Sequence, residues 1–416
     1  MKTKLLYFTF IIITQLAFAQ TTYVPDDNFE QRLIDIGYDD VLDDYVLTAN
    51  INTVTELIMT NNNVSDLTGI GGFTSLTGLH VSSNQLYTLD LSQNINLIGL
   101  ICSDNALNGT LDLSQNTALL SVICKNNLID NIILPQTTTL EYLDFSYNEL
   151  TSIDVSQNPN LGLFRGNDNQ LDGTLDLSQN TSLYRIDCDY NSIDQLILPQ
   201  TNTLIELDCR NNQLTALDVD YNPSLTILLM TGNEIAAINV ALNTDLERLF
   251  AGFNMLTSLD LTNNVALTSL TANSNNIDYL SIKNGNNANF TIDPVLSNNP
   301  SLTCIEVDDA GFSTNNWTTY VDPQHYFSED CSLSINESNL ASVSIFPNPV
   351  TDKLVLRFKT AEYTSYQLIN SKGQIQSKGK FTAQNESIDF SGISEGVYFL
   401  KLQTLNRSII KKVVKQ

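Results

Sequence analysis

The stretch Leu76-Thr77-Gly78-Leu79-His80-Val81-Ser82-Ser83-Asn84-Gln85-Leu86 decides the fold. Its apolar residues at the first, fourth, sixth and eleventh places and its Asn at the ninth return as Leu97, Leu100, Cys102, Leu107 and Asn105. They then recur every 21 or 22 residues. The Asn stands at Asn62, Asn84, Asn105, Asn127, Asn148, Asn169, Asn191, Asn212, Asn233, Asn254 and Asn275, eleven units without a gap. Alternation about the fourth place predicts one short strand per unit, with successive side chains on opposite faces. Stacked units then share one apolar core. Each Asn sits where the chain leaves its strand, and its amide can satisfy buried backbone groups there. The second half of most units reads L-D-L/V-S-x-N, as in Leu89–Asn94, Leu111–Asn116, Ile153–Asn158 and Leu175–Asn180. It is too short and polar for a helix and predicts an extended or turn-like side.

The pattern resembles the leucine-rich repeat, L-x-x-L-x-L-x-x-N-x-L, over about residues 54–286. The resemblance implies a mainly β solenoid of about eleven units with a parallel sheet on its concave face. The array is assigned residues 54–290, between an N-terminal cap at 20–53 and a C-terminal cap at 291–331. In the first cap, residues 24–37 predict a short helix with Phe29, Leu33 and Ile36 on one side, Asp26 or Asp27 as N-cap and Gly37 at its end. In the second, Trp317 and Tyr320 are expected to cover the last units. A longer period is also present: Asn108–Thr110 and Asp172–Thr174 lie 64 residues apart, as do Leu134–Thr137 and Leu198–Thr201. It marks a duplicated block of three units.

The 416 residues include 59 Leu and 49 Asn, as such an array requires. Residues 20–340 hold 7 Lys and Arg against 41 Asp and Glu, whereas residues 341–416 hold 11 against 5. The acidic majority excludes a nucleic-acid partner, and the asymmetry predicts two domains with different tasks. With only His80 and His325, a His-based metal site or general base has little material. The cluster Asp39, Asp40, Asp43 and Asp44 lacks the order of a calcium loop, so no metal or cofactor is predicted. Residues 1–19 read as a cleaved signal peptide: Lys2 and Lys4 lead an apolar run from Leu5 to Leu16, and Ala17-Phe18-Ala19 supplies the cleavage site. No other segment can span a bilayer.

After a polar linker at 332–340 the apolar period becomes two, and residues 341–416 predict about seven strands in a small antiparallel sandwich. Phe346-Pro347-Asn348-Pro349, then Gly396 and Tyr398, then the basic end with Lys411 and Lys412 resemble the C-terminal sorting domain of the type IX secretion system. The resemblance implies a Bacteroidetes-type exporter as partner and delivery across the outer membrane. The protein is then released or attached to the surface.

Cys102, Cys124, Cys188 and Cys209 take the inward strand place of their repeats and are expected to be free and buried. Cys304 and Cys331 bracket the C-terminal cap, and an oxidising compartment permits a disulfide between them.

The outward places of each unit are the third, fifth, seventh and eighth. On the concave face they collect Tyr142, Asp144, Tyr147, Arg165, Arg185, Asp187, Tyr190, Asp208, Arg210, Arg248, Phe250 and Phe253. Four of the five Arg between residues 20 and 340 lie on this ribbon. Tyr, Arg and Phe are favoured at interfaces, so the ribbon is the candidate site for a protein or glycan ligand, in adhesion or interaction. Two other readings stand beside it. One is a structural envelope or matrix component without a defined ligand. The other is a carbohydrate-active enzyme with paired carboxylates such as Asp187 and Asp208; a flat ribbon offers it no water-excluding pocket, and the chain is expected not to be an enzyme. Acidic self-repulsion favours a monomer.

Overall fold

A computed structural model describes residues 20–317, 319–331, 343–358, 365–370, 374–381, 385–403 and 408–416. The predicted signal peptide, the linker at 332–340 and a turn expected at residues 371–373 lie outside the described residues. The chain divides into two compact units between Glu329 and Asp330.

Eleven three-residue strands, from Glu56–Ile58 to Ser269–Thr271, pair in parallel and in sequence order as one sheet. The register never slips: Leu57 faces Leu79, Leu79 faces Leu100, and the inward column runs on to Leu249 and Leu270. Each of these side chains is at most 1% exposed. The first Leu of each unit, the sixth-place residue and the eleventh-place residue join them in one apolar core. The four inward Cys belong to that core as free thiols.

Two ladders of Asn stitch the units together. In the predicted one, Asn148 Nδ2 donates to the Cys124, Phe145 and Ser146 carbonyls at 3.1, 2.9 and 3.3 Å, and its Oδ1 accepts from Ile129 N at 3.0 Å. One side chain thereby satisfies backbone groups of its own unit and of the preceding one. The second ladder is formed by the Asn that ends L-D-L-S-x-N. Asn180 Nδ2, for example, donates to the Val155 and Asn158 carbonyls at 2.8 and 2.9 Å. The Asp of that motif stays near the surface and closes a turn, as when Asp176 Oδ1 accepts from Ser178 N at 2.9 Å.

The 64-residue period has a structural form. Asn108–Asp112 pairs with Leu128–Ile133, and Asp172–Asp176 with Ser192–Ile197, as two separate small parallel sheets. Both carry a register shift at the Gly-Thr step, where Gly109 and Gly173 have φ of +73° and +69°. That left-handed bulge is why Gly recurs there.

The N-terminal cap helix runs Asp27–Asp35, and Asp26 is its N-cap. Its carboxylate accepts from Asn28 N and Phe29 N and also from Ser65 N and Oγ, so it fastens the cap to the first repeats. In the C-terminal cap Trp317 is buried against Phe290, Phe312 and Phe327. The expectation for Tyr320 is corrected: the residue is 47% exposed, and its carbonyl accepts from Leu296 N. Cys304 and Cys331 are disulfide-bonded.

Among the described residues the C-terminal unit has seven antiparallel strands in sheets of three and four around Leu354, Leu368, Ile388, Leu400 and Val413. Asn348 pins the last strand: its Nδ2 donates to Lys412 O at 2.9 Å and its Oδ1 accepts from Val414 N at 2.8 Å. Tyr398 is buried, and its hydroxyl donates to Ser394 O at 2.7 Å. Among the described residues no helix is long and apolar enough to cross a membrane.

The ladder carries a measurable load. Asn148→Ala strips Ile129 N of its acceptor. It also takes one donor from each of the Cys124, Phe145 and Ser146 carbonyls, which keep Asn127 Nδ2, Asn169 Nδ2 and Asn126 N. The buried, unmet N–H costs about 2 kcal/mol. Urea unfolding checks this, and a loss below about 1 kcal/mol would show that the ladder is dispensable.

Candidate functional site: the open face of the repeat sheet

The aligned register turns each outward place into a straight column. The fifth-place column runs from Ile58, His80, Ile101 and Ile123 through Asp144, Arg165, Asp187 and Asp208 to Leu229, Phe250 and Thr271. Its middle is charged, and the stretches on either side are mostly apolar, with His80 and Thr271 the exceptions. The third-place column sets Tyr142, Arg185, Glu206 and Arg248 beside it.

The charged middle forms two bonded groups, one around Asp187 and one around Asp208. Arg165 Nε bonds Asp187 Oδ2 at 2.9 Å, and its Nη1 donates to Tyr142 Oη at 3.3 Å. Arg185 bonds the same Asp187 at 3.0 Å and reaches Glu206 Oε2 at 2.8 Å. Burial opposes the Arg185 charge, but the bond to Asp187 and the nearby carboxylates raise its pKa overall. Arg210 Nε donates to Asp208 Oδ1 at 2.8 Å, and that bond raises its pKa against burial. Asp144, Asp187 and Asp208 are buried, and Asp144 accepts from Ser146 N and Oγ. Asp187 and Asp208 hold Arg165, Arg185 and Arg210 in place. Asp189 differs: it lies 3.9 Å from Arg210, and burial followed by the Asp208 charge pushes its pKa up to about 6.

The eighth-place column has a property of its own. Asn61, Ser83, Asp104, Asn126, Tyr147, Asp168, Tyr190, Asn211, Gly232, Phe253 and Ser274 all have φ between +52° and +74°. The chain turns left-handed there to hand the next residue, the ladder Asn, into the core. Asn, Asp, Ser and Gly suit that conformation, whereas an aromatic residue there costs about 1–2 kcal/mol. Yet Tyr147, Tyr190 and Phe253 occupy three of the corners, and they are 54%, 54% and 60% exposed. The Asp168 carboxylate beside Tyr147 raises that phenol's pKa.

Tyr190, Arg210, Phe250 and Phe253, with Asn211, Thr231, Gly232, Thr271 and Asn273, line an open depression of about 640 Å³. The structure thus gathers the sequence-derived residues into central ion-paired groups from Tyr142 to Arg210 and a C-terminal aromatic group with Phe250 and Phe253. Arg248 stands exposed beside the latter. The polar lining at Asn211, Thr231, Gly232 and Asn273 was missed, as was the apolar end at Ile58, Ile101 and Ile123. A signal for the corners is present in the sequence: the residue before each ladder Asn is mostly Asn, Asp, Ser or Gly, and the three aromatics break that preference.

Residues 344–416 match the secretion system C-terminal sorting domain. The C-terminal unit is a type IX sorting domain. The protein it carries is therefore secreted or attached at the outer-membrane surface. The repeat unit is a leucine-rich repeat solenoid. The chain is similar to the functional domain of InlJ from Listeria monocytogenes, with a TM-score of 0.61 and 23% identity over 97% of this chain and 100% of that one. It is also similar to the APL1 leucine-rich repeat domain, with a TM-score of 0.50 and 20% identity over 68% of this chain and 74% of that one. The internalin inlF from Listeria monocytogenes gives 0.47 and 19% over 72% and 96%. The first two likenesses show the fold. No curated protein matches the chain.

Asp189 gives the leucine-rich repeat face a pH dependence. Its folded pKa of about 6 stands above the ordinary 3.8, so the folded state holds the extra proton between these values. Stability from this group is present at low pH and is lost as pH rises through about 6. Asp189→Asn should remove up to about 3 kcal/mol of that decline between about pH 4 and 7. Urea unfolding across this range checks it; parallel profiles for the two proteins would refute the assignment.

Proposed function

We propose that this is a secreted or surface-displayed binding protein whose open sheet face recognises a protein or glycan, in adhesion or another surface interaction. One observation carries the reading: three corners of a column that favours Asn, Asp, Ser and Gly hold exposed aromatic residues instead. Neither local backbone preference nor core packing accounts for them. Four Arg on the same ribbon, three of them held by carboxylates, add the side chains that dominate binding interfaces. Residues 1–19 and, after export, the sorting domain are proposed to be removed, so that 20–331 is the delivered unit and acts as a monomer.

An enzyme using Asp187 and Asp208 is the weaker reading. Those carboxylates are neighbours across the sheet, but Arg185 and Arg210 hold them in ion pairs on an open face. A structural component without a ligand predicts no dependence on the ribbon, and that difference is testable.

The full chain should give at least one saturable partner on a glycan array or among extracted surface proteins. Changing Tyr147, Arg185 and Arg248 together to Ala should weaken that binding about tenfold or more, with circular dichroism unchanged. Equal binding by both proteins would favour the structural reading. Separately, deleting residues 344–416 in a cell with a type IX exporter should keep the protein from reaching the medium or the surface. Unchanged export would refute the role of the sorting domain.

A further inference from the structure

The open depression on the leucine-rich repeat face has a chemistry specific enough to select a ligand class. Tyr190 forms one wall and Phe253 the other. They occupy the same place in units three apart, so three strand spacings, about 14 Å, separate their backbones. Both sit at left-handed corners, and both are more than half exposed. Their rings therefore serve neither the backbone nor the core.

The floor between them is kept low. Gly232 has φ of +74°, and a Cβ added to it would lie 2.6 Å from Asn211 Oδ1. The floor is also neutral. Asn211 and Thr231 offer amide and hydroxyl groups that both donate and accept. The charge of Arg210 is met by Asp208 through its Nε bond at 2.8 Å. Among the residues that line the depression, a charged ligand thus finds no unpaired opposite charge. A peptide adding as a strand finds no open edge, because the strands at this point are paired on both sides. Neutral hydroxyls suit the floor, and flat C–H faces suit the aromatic walls. A sugar chain carries both.

We propose that a short neutral oligosaccharide binds across the sheet between Tyr190 and Phe253, with Asn211 and Thr231 bonding its hydroxyls. This rests on the reading of the sheet face as the binding surface. The ligand lies across three repeats, so a chain of several sugar rings fits better than a single one.

The test titrates the purified full chain with neutral trisaccharides built from glucose, mannose, galactose, xylose and N-acetylglucosamine. Binding is read by calorimetry and saturation-transfer NMR. The variants are Tyr190→Asn and Phe253→Asn, because Asn already stands at Asn61, Asn126 and Asn211 in the same column. At least one sugar should bind saturably. Each variant should weaken it tenfold or more while melting at the same or a higher temperature. Asn211→Asp, which places a charge in the floor at a corner that tolerates Asp, should weaken it as well. The proposal is overturned if no trisaccharide binds saturably, or if the variants bind as well as the parent. A surface protein whose binding is lost in the Tyr190 and Phe253 variants, with no sugar bound, would overturn the oligosaccharide and leave the sheet-face reading standing. Failure of every sugar and every surface protein would overturn both.

Discussion

The amide of the ladder Asn governs this molecule. A short strand that turns sharply out of a sheet leaves backbone N–H and C=O groups inside the solenoid, away from water, where each unmet group is costly. A side-chain amide supplies two donors and an acceptor at one point. Asn148 uses all of them, reaching both its own unit and the one before. A shorter side chain would not reach the neighbouring carbonyl, and a carboxylate could not donate. The second ladder, through residues such as Asn180, does the same on the other side of the coil. Together they lock the units at one spacing and explain why the register runs through eleven strands without a slip.

That regularity frees the open face. Because the amides and the inward Leu hold each unit, the outward residues need not pack. They form columns in which a substitution meets its neighbours in adjacent units more than the core. The central columns use this to build a fixed array of ion pairs in which Arg165 and Arg185 share Asp187. Pairs at this exposure add little stability. Their effect is to hold side chains in defined positions, which lowers the ordering needed on binding. The left-handed corner is a by-product of the same ladder, since the chain must reverse to insert the Asn. It projects the preceding side chain from the sheet, and at Tyr147, Tyr190 and Phe253 that projection carries an aromatic ring.

The sorting domain applies the same chemistry once. Asn348, within Phe346-Pro347-Asn348-Pro349, bonds Lys412 O and Val414 N and so ties an early loop to the last strand. Phe346 remains partly exposed under the Arg357 guanidinium, 5.2 Å from the ring centroid. The motif that marks the domain in sequence thus includes the residue that closes its fold.

Much of the architecture was legible because its causes are local and repeated. The spacing of Leu and Asn marks eleven strands, the inward place of Cys102 and Cys188, and the outward place of every ribbon residue. The cap helix was legible from Asp26, Phe29 and Leu33 for the same reason. The fate of Tyr320 was not, because its exposure depends on how the cap chain crosses the last repeats. Within the site, sequence alone placed Tyr190, Arg210 and Phe253 on one face. Only the tertiary structure decided that Asp187 is shared by two Arg, that Asp189 is buried beside Asp208, and that Gly232 opens a floor between two aromatic walls. Most of these features depend on distances between side chains of neighbouring units, and a periodic sequence fixes which column a residue joins but not which neighbour its charge or ring will meet.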